Sequence, residues 1–285
     1  MRRVTWGRMG GVNTDAALVT ELRALARRTA VAGGDLIRAG RPDTVTVAAT
    51  KSSEVDPVTA MDLAVEDLVR TALRTARPED GLLGEEGGLR PGTSGLTWVV
   101  DPIDGTVNYL YGVPAYSVSI AVVEGEPDPR TWTVLAGAVH AVADGRTWTA
   151  GRGQGADLDG RTLQANAARP LATSLVGTGF GYTEARRRAQ ARVLGEILPR
   201  VRDIRRIGSA AMDLCSVGSG QLDLFFERGL NPWDMAAGGL VATEAGAVLT
   251  GLRGRPASDE MTLVGPAGTV AELAALLEEL DADRD

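Results

Sequence analysis

The sequence predicts an α/β fold. Leu18, Leu22 and Leu25 recur at helical spacing near the start of the chain. Short apolar runs, each bounded by Gly, Pro or Asp, then follow one another between positions 82 and 150. From position 175 onward, strand-like runs alternate with longer helix-like segments. The chain has 285 residues, 44% of them hydrophobic and 24% charged. That composition suits a globular protein with one large domain or two tightly fused halves.

Taken in order, Asn13 or Thr14 can cap the first helix. A polar loop is expected over roughly 41–57. A second helix begins near Thr59 and carries Leu63, Leu68, Val69 and Leu73. Strands are expected at Leu82–Leu83, Leu96–Val100, Ser117–Val123, Leu135–Val142 and Arg146–Ala150. The glycine-rich stretch 151–155 is the best boundary, dividing residues 1–150 from residues 151–285. Beyond it we expect strands at Leu175–Gly179, Leu222–Phe226 and Thr262–Val264. Helices are expected at Glu184–Leu198, Ser209–Val217, Met235–Glu244 and Val270–Leu280.

The bulk numbers remove several function classes. The net charge is −7 and the pI about 5.0, which disfavours nucleic acid and anionic membrane as general partners. Cys215 is the one cysteine, so no intramolecular disulfide is possible. His140 is the one histidine, which excludes a zinc site built on a histidine pair. His140 lies in a strand-like run and Cys215 in an apolar helix, and packing roles are expected for both. Arg2, Arg3 and Arg8 are followed by no apolar run. We therefore expect no signal peptide, no membrane span and a cytoplasmic location.

Three acidic clusters stand where an apolar run ends and a turn or helix begins. They contain Glu85 and Glu86, Asp101 and Asp104, and Asp234. In the second cluster Pro102 should stop the strand, because it has no N–H to donate. Asp101 and Asp104 can then face one cation, with the Ile103 carbonyl between them. Gly105 and Thr106 offer N–H groups suited to phosphate oxygens. The oxygen-only donors suit Mg²⁺. Taken alone, Asp234 equally suits a helix cap, and Glu85 a solvated turn. Thr59 and Asp62 have the spacing of a capping box, which is compatible with a second role for Asp62. The runs Arg186–Arg188 and Arg202, Arg205, Arg206 suit either a solvated face or a protein contact.

At these residues the chain resembles the inositol monophosphatase family. The stretch 98–109, WVVDPIDGTVNY, looks like the family's first signature, and 233–247, WDMAAGGLVATEAGA, like its second. Segments 51–62, 84–86, 206–211 and 223–229 also look like family blocks, in the family order. Segments 107–119 and 177–182 are closest to the actinobacterial branch. The resemblance implies a layered αβαβα sandwich, usually a homodimer. It implies an Mg²⁺-dependent, Li⁺-sensitive phosphatase of a small phosphate ester, with inositol 1-phosphate as the leading substrate.

Fructose 1,6-bisphosphate, histidinol phosphate, 3′-phosphoadenosine 5′-phosphate and NADP(H) are the alternatives. A regulatory contact in RNA synthesis is a further one. By the same resemblance, Glu85, Asp101 and the Ile103 carbonyl hold a first Mg²⁺, and Asp101, Asp104 and Asp234 a second. Glu85 also touches a third, weaker one, beside the loop that carries Lys51. Thr106, oriented by Asp62, pairs with Glu85 to activate water. Gly105 and Thr106 hold the phosphate, and Asp104, Ala210, Glu227 and Asp234 line the place of the ring.

Overall fold

The computed structural model describes residues 15–42, 45–50 and 57–284. Helix α1 (Ala16–Gly40) is capped by Asp15, whose carboxylate accepts from the Ala17 N–H at 2.9 Å. The expected caps Asn13 and Thr14 lie outside the described residues, as does Lys51. The polar loop expected at 41–57 contains a strand, β1 (Val47–Thr50), antiparallel to β2 (Pro57–Thr59). Helix α2 (Ala60–Ala76) starts at the expected Thr59–Asp62 capping box.

The first sheet takes β3 (Gly81–Gly84), β4 (Gly88–Arg90), β5 (Leu96–Asp104), β6 (Ser117–Glu124) and β7 (Thr133–Ala141). It continues through β8 (Thr147–Gly151), β9 (Gly155–Leu158) and β10 (Arg161–Thr162). Its order is β10-β9-β8-β7-β6-β5-β3-β4, with the short helix α3 (Thr106–Tyr111) following β5. The glycine-rich stretch expected to separate two halves is thus a turn between two strands of one sheet. The chain leaves that sheet after Thr162, not at residue 150.

The remaining elements are β11 (Leu175–Thr178), α4 (Glu184–Ile197), β12 (Asp203–Arg205), α5 (Ala210–Gly218) and β13 (Leu224–Glu227). Then come α6 (Pro232–Glu244), β14 (Val248–Thr250), β15 (Thr262–Gly265) and α7 (Ala267–Glu279). The second sheet has the order β12-β11-β13-β15-β14. Helix α6 begins three residues earlier than expected, because Pro232 fits the first helical turn, where no N–H is needed.

Among the described residues the core divides into four clusters, one for each interface between five layers. Leu22, Ile37, Val65 and Val69 of α1 and α2 meet Trp98, Val100, Val118 and Ile120 on one face of the first sheet. Val99, Ala121 and Val139 on its other face meet Cys215 of α5 and Ala237 and Val241 of α6. Leu214, Met235 and Ala242 continue that helical layer onto Phe225 and Val264 of the second sheet. Leu224 and Leu263 on the far face pack on Val193 of α4 and on Leu273 and Leu277 of α7. The architecture is therefore the expected αβαβα sandwich. Strands buried on both faces explain the unbroken apolar runs of β5 and β6.

Small residues let the central layer approach its neighbours closely. A Cβ on Gly137 of β7 would come within 3.0 Å of the Ala237 backbone, and one on Gly238 within 2.8 Å of the Ala211 carbonyl oxygen. His140 and Cys215 are buried, and the His140 Nδ1 lies 2.9 Å from the Thr147 hydroxyl.

Candidate active site

The site begins at a break in sheet pairing. Strand β5 pairs with β6 as far as Asp101 opposite Ser119, and resumes at Asp104 opposite Ser117. The expected stop at Pro102 is therefore a bulge. One more residue on β5 than on β6 leaves Pro102 with no ladder bond to donate, so the strand runs on to Asp104. The same bulge brings two carboxylates three residues apart toward one place.

Asp104 reaches the start of α5. Its carboxylate accepts from the Ala210 N–H at 3.2 Å, from the Ala211 N–H at 2.8 Å and from the Ser209 hydroxyl. A carboxylate at a helix N-terminus is favoured by the aligned backbone dipoles. Asp234 sits in the first turn of α6, where one oxygen accepts from the Asn231 N–H at 2.7 Å. Helix capping and site geometry thus coincide at this residue. Carboxylate oxygens of Asp101, Asp104 and Asp234 lie within 4.8 Å of one another.

Glu85 follows β3, which runs parallel to β5, and its N–H donates to the Val100 carbonyl at 3.2 Å. That register sets it beside Asp101 on the same cleft. Asp62 is fully buried. Its Oδ2 accepts from the Thr59 N–H at 2.8 Å and from the Thr59 hydroxyl, while Oδ1 lies 3.3 Å from the Thr106 hydroxyl. The capping box and the contact to Thr106 therefore coexist. The Thr106 hydroxyl also lies 3.0 Å from the Ile103 carbonyl. Gly105, at φ +95°, turns the chain into α3; a Cβ there would meet the Ala115 carbonyl at 2.9 Å.

Electrostatically the cluster is frustrated without a cation. Burial, then the Glu85, Asp104 and Asp234 charges, hold the Asp101 carboxyl well above the usual range. Burial, then Glu85 and Asp104, does the same to Asp234. Asp104 is pushed up by burial to about 6, against the pull of its Ser209, Ala211 and Ala210 hydrogen bonds. The Asp101 Oδ1 is enclosed and has no hydrogen-bond partner among the described residues. A hard cation fits this donor set: the oxygens are close enough to share one, and it would relieve both the repulsion and the unmade bond.

The cleft extends from these carboxylates to a wall of mixed charge, with a volume of about 590 Å³. Glu227, Ala210, Gly105 and Thr106 all line it. Glu227 ends β13 and is pushed up to about 8, mainly by burial and opposed by Arg206.

A protein-family model described as the inositol monophosphatase family matches residues 18–282. The chain belongs to the inositol monophosphatase family. This phosphatase is 44% identical over 275 residues to an inositol-1-monophosphatase of Mycobacterium leprae, covering 91% of each chain. It is 37% identical to the Nus factor SuhB of Escherichia coli, over 81% of this chain and 85% of that one. Among solved structures, Mycobacterium tuberculosis SuhB matches with a TM-score of 0.77 and 38% identity, covering 93% of this chain and 98% of that one.

Sequence reasoning missed part of the phosphatase cleft. Arg186 and Arg206, read there as surface charges, line it. Of the other arginines in those runs, Arg187 donates to the Gly181 carbonyl at 2.8 Å, Arg188 pairs with Glu184, and Arg205 pairs with Asp203 at 2.6 Å. Gly179 makes room for the Glu227 carboxylate, since a Cβ there would sit 2.1 Å from it and displace it. Asp213, overlooked in an apolar helix, lines the cleft as well. An aspartate one turn into the apolar run 210–217 was the available signal.

Proposed function

We propose that this phosphatase hydrolyses myo-inositol 1-phosphate to myo-inositol and phosphate, with Mg²⁺ as its cofactor. The observation that carries the reading is the cluster of Asp101, Asp104 and Asp234, with Glu85 beside it, at one end of a cleft whose other end holds Glu227. Glu85, Asp101 and the Ile103 carbonyl would hold one ion, and Asp101, Asp104 and Asp234 a second; Glu85 would also touch a third, weaker ion. Bound Mg²⁺ supplies charge neutralisation for the phosphate and acidifies water.

The chain's own groups do the rest. Glu85 and the Thr106 hydroxyl orient the attacking water, and Glu85 takes its proton. Asp62 positions Thr106 from 3.3 Å. The Gly105 and Thr106 N–H groups hold phosphate oxygens at the start of α3. Asp104, Ala210, Glu227 and Asp234 face the alcohol. A carboxyl such as Glu227 pairs with ring hydroxyls, which favours a phosphate ester of a polyol. No protein nucleophile is needed, and the Cys215 thiol, raised by burial, stays protonated.

The family resemblance supports a homodimer and inhibition by Li⁺. The acidic net charge supports a partner list without nucleic acid or membrane. Among the described residues no helix is long and apolar enough to cross a membrane, and a cytoplasmic location is proposed with it. The likeness to a Nus factor supports a second reading as a protein partner in RNA synthesis.

The test is a kinetic panel with Mg²⁺ and an EDTA control. It compares inositol 1-phosphate with fructose 1,6-bisphosphate, histidinol phosphate, 3′-phosphoadenosine 5′-phosphate and NADP(H). The highest kcat/KM is expected for inositol 1-phosphate, with turnover lost in EDTA. A clear preference for another ester would move the assignment to that activity. Full turnover in EDTA would end the metal mechanism, and absence of hydrolysis would leave the RNA-synthesis reading.

A further inference from the structure

The cleft wall carries a carboxyl that hydrolysis does not use. Asp213 lies in the first part of α5 and is only 2% exposed, yet it borders the cleft. Its Oδ1 is enclosed and has no hydrogen-bond partner among the described residues. Strand β11 closes in behind it: a Cβ on Gly177 would lie 3.2 Å from that oxygen.

A capping role does not account for Asp213. The first amides of α5 are already taken, those of Ala210 and Ala211 by Asp104 and that of Met212 by Ser209 at 3.4 Å. Stability does not account for it either. A buried carboxyl without a hydrogen bond is costly, and Met212, Leu214 and Cys215 around it are apolar. An apolar side chain at position 213 would suit the helix better. The enclosed Oδ1 lies against β11, but Asp213 also lines the cleft, and a molecule bound there can give this carboxyl the partner that the helix does not.

Glu227 and Arg206 define what that partner is. Burial and then the Glu227 and Asp104 charges raise the Asp213 pKa, Arg206 opposes that rise, and Glu227 and Arg206 line the cleft with it. Two carboxyls from different elements, α5 and β13, thus border one cleft without belonging to the cluster of Asp101, Asp104 and Asp234. A hydroxyl can donate to a carboxylate or accept from a carboxylic acid, so it satisfies either form. We propose that Asp213 is a second hydroxyl-reading carboxyl, which together with Glu227 determines specificity for the polyol part of the substrate. This rests on the reading of the cleft as a polyol phosphate site.

The experiment compares wild type, Asp213→Ala and Asp213→Asn on myo-inositol 1-phosphate and on 4-nitrophenyl phosphate, whose leaving group has no ring hydroxyls. Thermal melting of each protein is recorded alongside. For Asp213→Ala, kcat/KM for the inositol ester should fall about tenfold further than for the nitrophenyl ester, mostly through KM. Its Tm should be unchanged or higher, since an unpartnered buried carboxyl has been removed. Asp213→Asn, which keeps hydrogen-bonding atoms, should recover most of the selectivity.

Equal losses on both esters would overturn the proposal, and so would a lowered Tm accompanied by unchanged selectivity. Should the wild type prefer a different hydroxyl-bearing phosphate, the inositol assignment falls. The Asp213 comparison is then made with that ester against nitrophenyl phosphate, under the same criteria. A wild type that prefers no hydroxyl-bearing ester overturns both.

Discussion

Stripping divalent metal from this protein should make its stability fall steeply with pH, and Asp104 allows the size to be worked out. Its carboxyl is 8% exposed and raised from 3.8 to about 6. Between those two values the folded state holds the proton more often than the unfolded chain does. Stability must then fall as pH rises: the contribution is complete below about pH 4 and lost above about pH 6. At about 1.4 kcal/mol per pH unit, Asp104 alone accounts for ~3 kcal/mol. Asp101 and Asp234 are shifted in the same direction and add with the same sign. A domain's whole stability is only about 5–15 kcal/mol, so the loss is large. The assay is urea unfolding of metal-free protein at about pH 4.5 and about pH 8, repeated with Mg²⁺. Mg²⁺ should restore stability at the higher pH and do little at the lower, where the carboxyls are protonated. Overall negative charge also disfavours folding at high pH, so the Asp104→Asn variant is the control. It should reduce the metal-free drop by ~3 kcal/mol. A metal-free protein equally stable at both pH values, or an Asp104→Asn variant with the full drop, would refute the reasoning.

Three further outcomes follow from the site. Glu85→Gln should cut kcat by ~10²–10⁴-fold at saturating Mg²⁺ with the fold intact by circular dichroism, and near-normal turnover would mean that the water is activated elsewhere. Thr106→Val should lose turnover to a similar extent while Thr106→Ser keeps most of it; equal activity in both would remove the hydroxyl from the mechanism. Glu227→Ala should raise KM for inositol 1-phosphate by ~10–100-fold, more than for 4-nitrophenyl phosphate, and a matched loss on both would show that it supports the site without reading the ring.

Much of this was legible because the first half of the site is local in sequence. Asp101, Ile103, Asp104, Gly105 and Thr106 lie within six consecutive positions, so the convergence of Asp101 and Asp104 on one place could be read from their spacing. Pro102 misled because a strand can absorb a proline where its pairing slips, and slippage depends on the neighbouring strand. The boundary at 151–155 misled for a similar reason: a glycine cluster marks a turn, but not which sheet the next strand joins. Arg186 and Arg206 could not be told from ordinary surface charge, since only the meeting of α4 and the approach to α5 with the metal-type cluster brings them to one cleft. Asp213 was hidden by its apolar neighbours, although a lone carboxyl in such a run is itself a flag.

The carboxylates also differ in how much they depend on the fold. Asp104 already accepts from Ser209, Ala210 and Ala211, all at the start of α5. A strand of the first sheet is thereby bonded to a helix of the central layer, and Asp104 stays oriented whether or not a cation is present. Asp234 is half-committed, with one oxygen on the Asn231 N–H. Asp101 has an enclosed oxygen with no donor, and its neighbours Glu85, Asp104 and Asp234 all repel its charge. The three therefore form a graded set, from a carboxylate held by helix amides to one that needs a cation to stay charged. Such a set gives a site whose shape is built by the packing of the central layer on the first sheet, and whose charge balance is completed only on loading. That division of labour explains why Ala and Gly stand at the closest contacts of the central layer. A larger residue at Gly137 would push α6 away from the first sheet and carry Asp234 from Asp101 and Asp104, and one at Gly238 would push α6 away from α5.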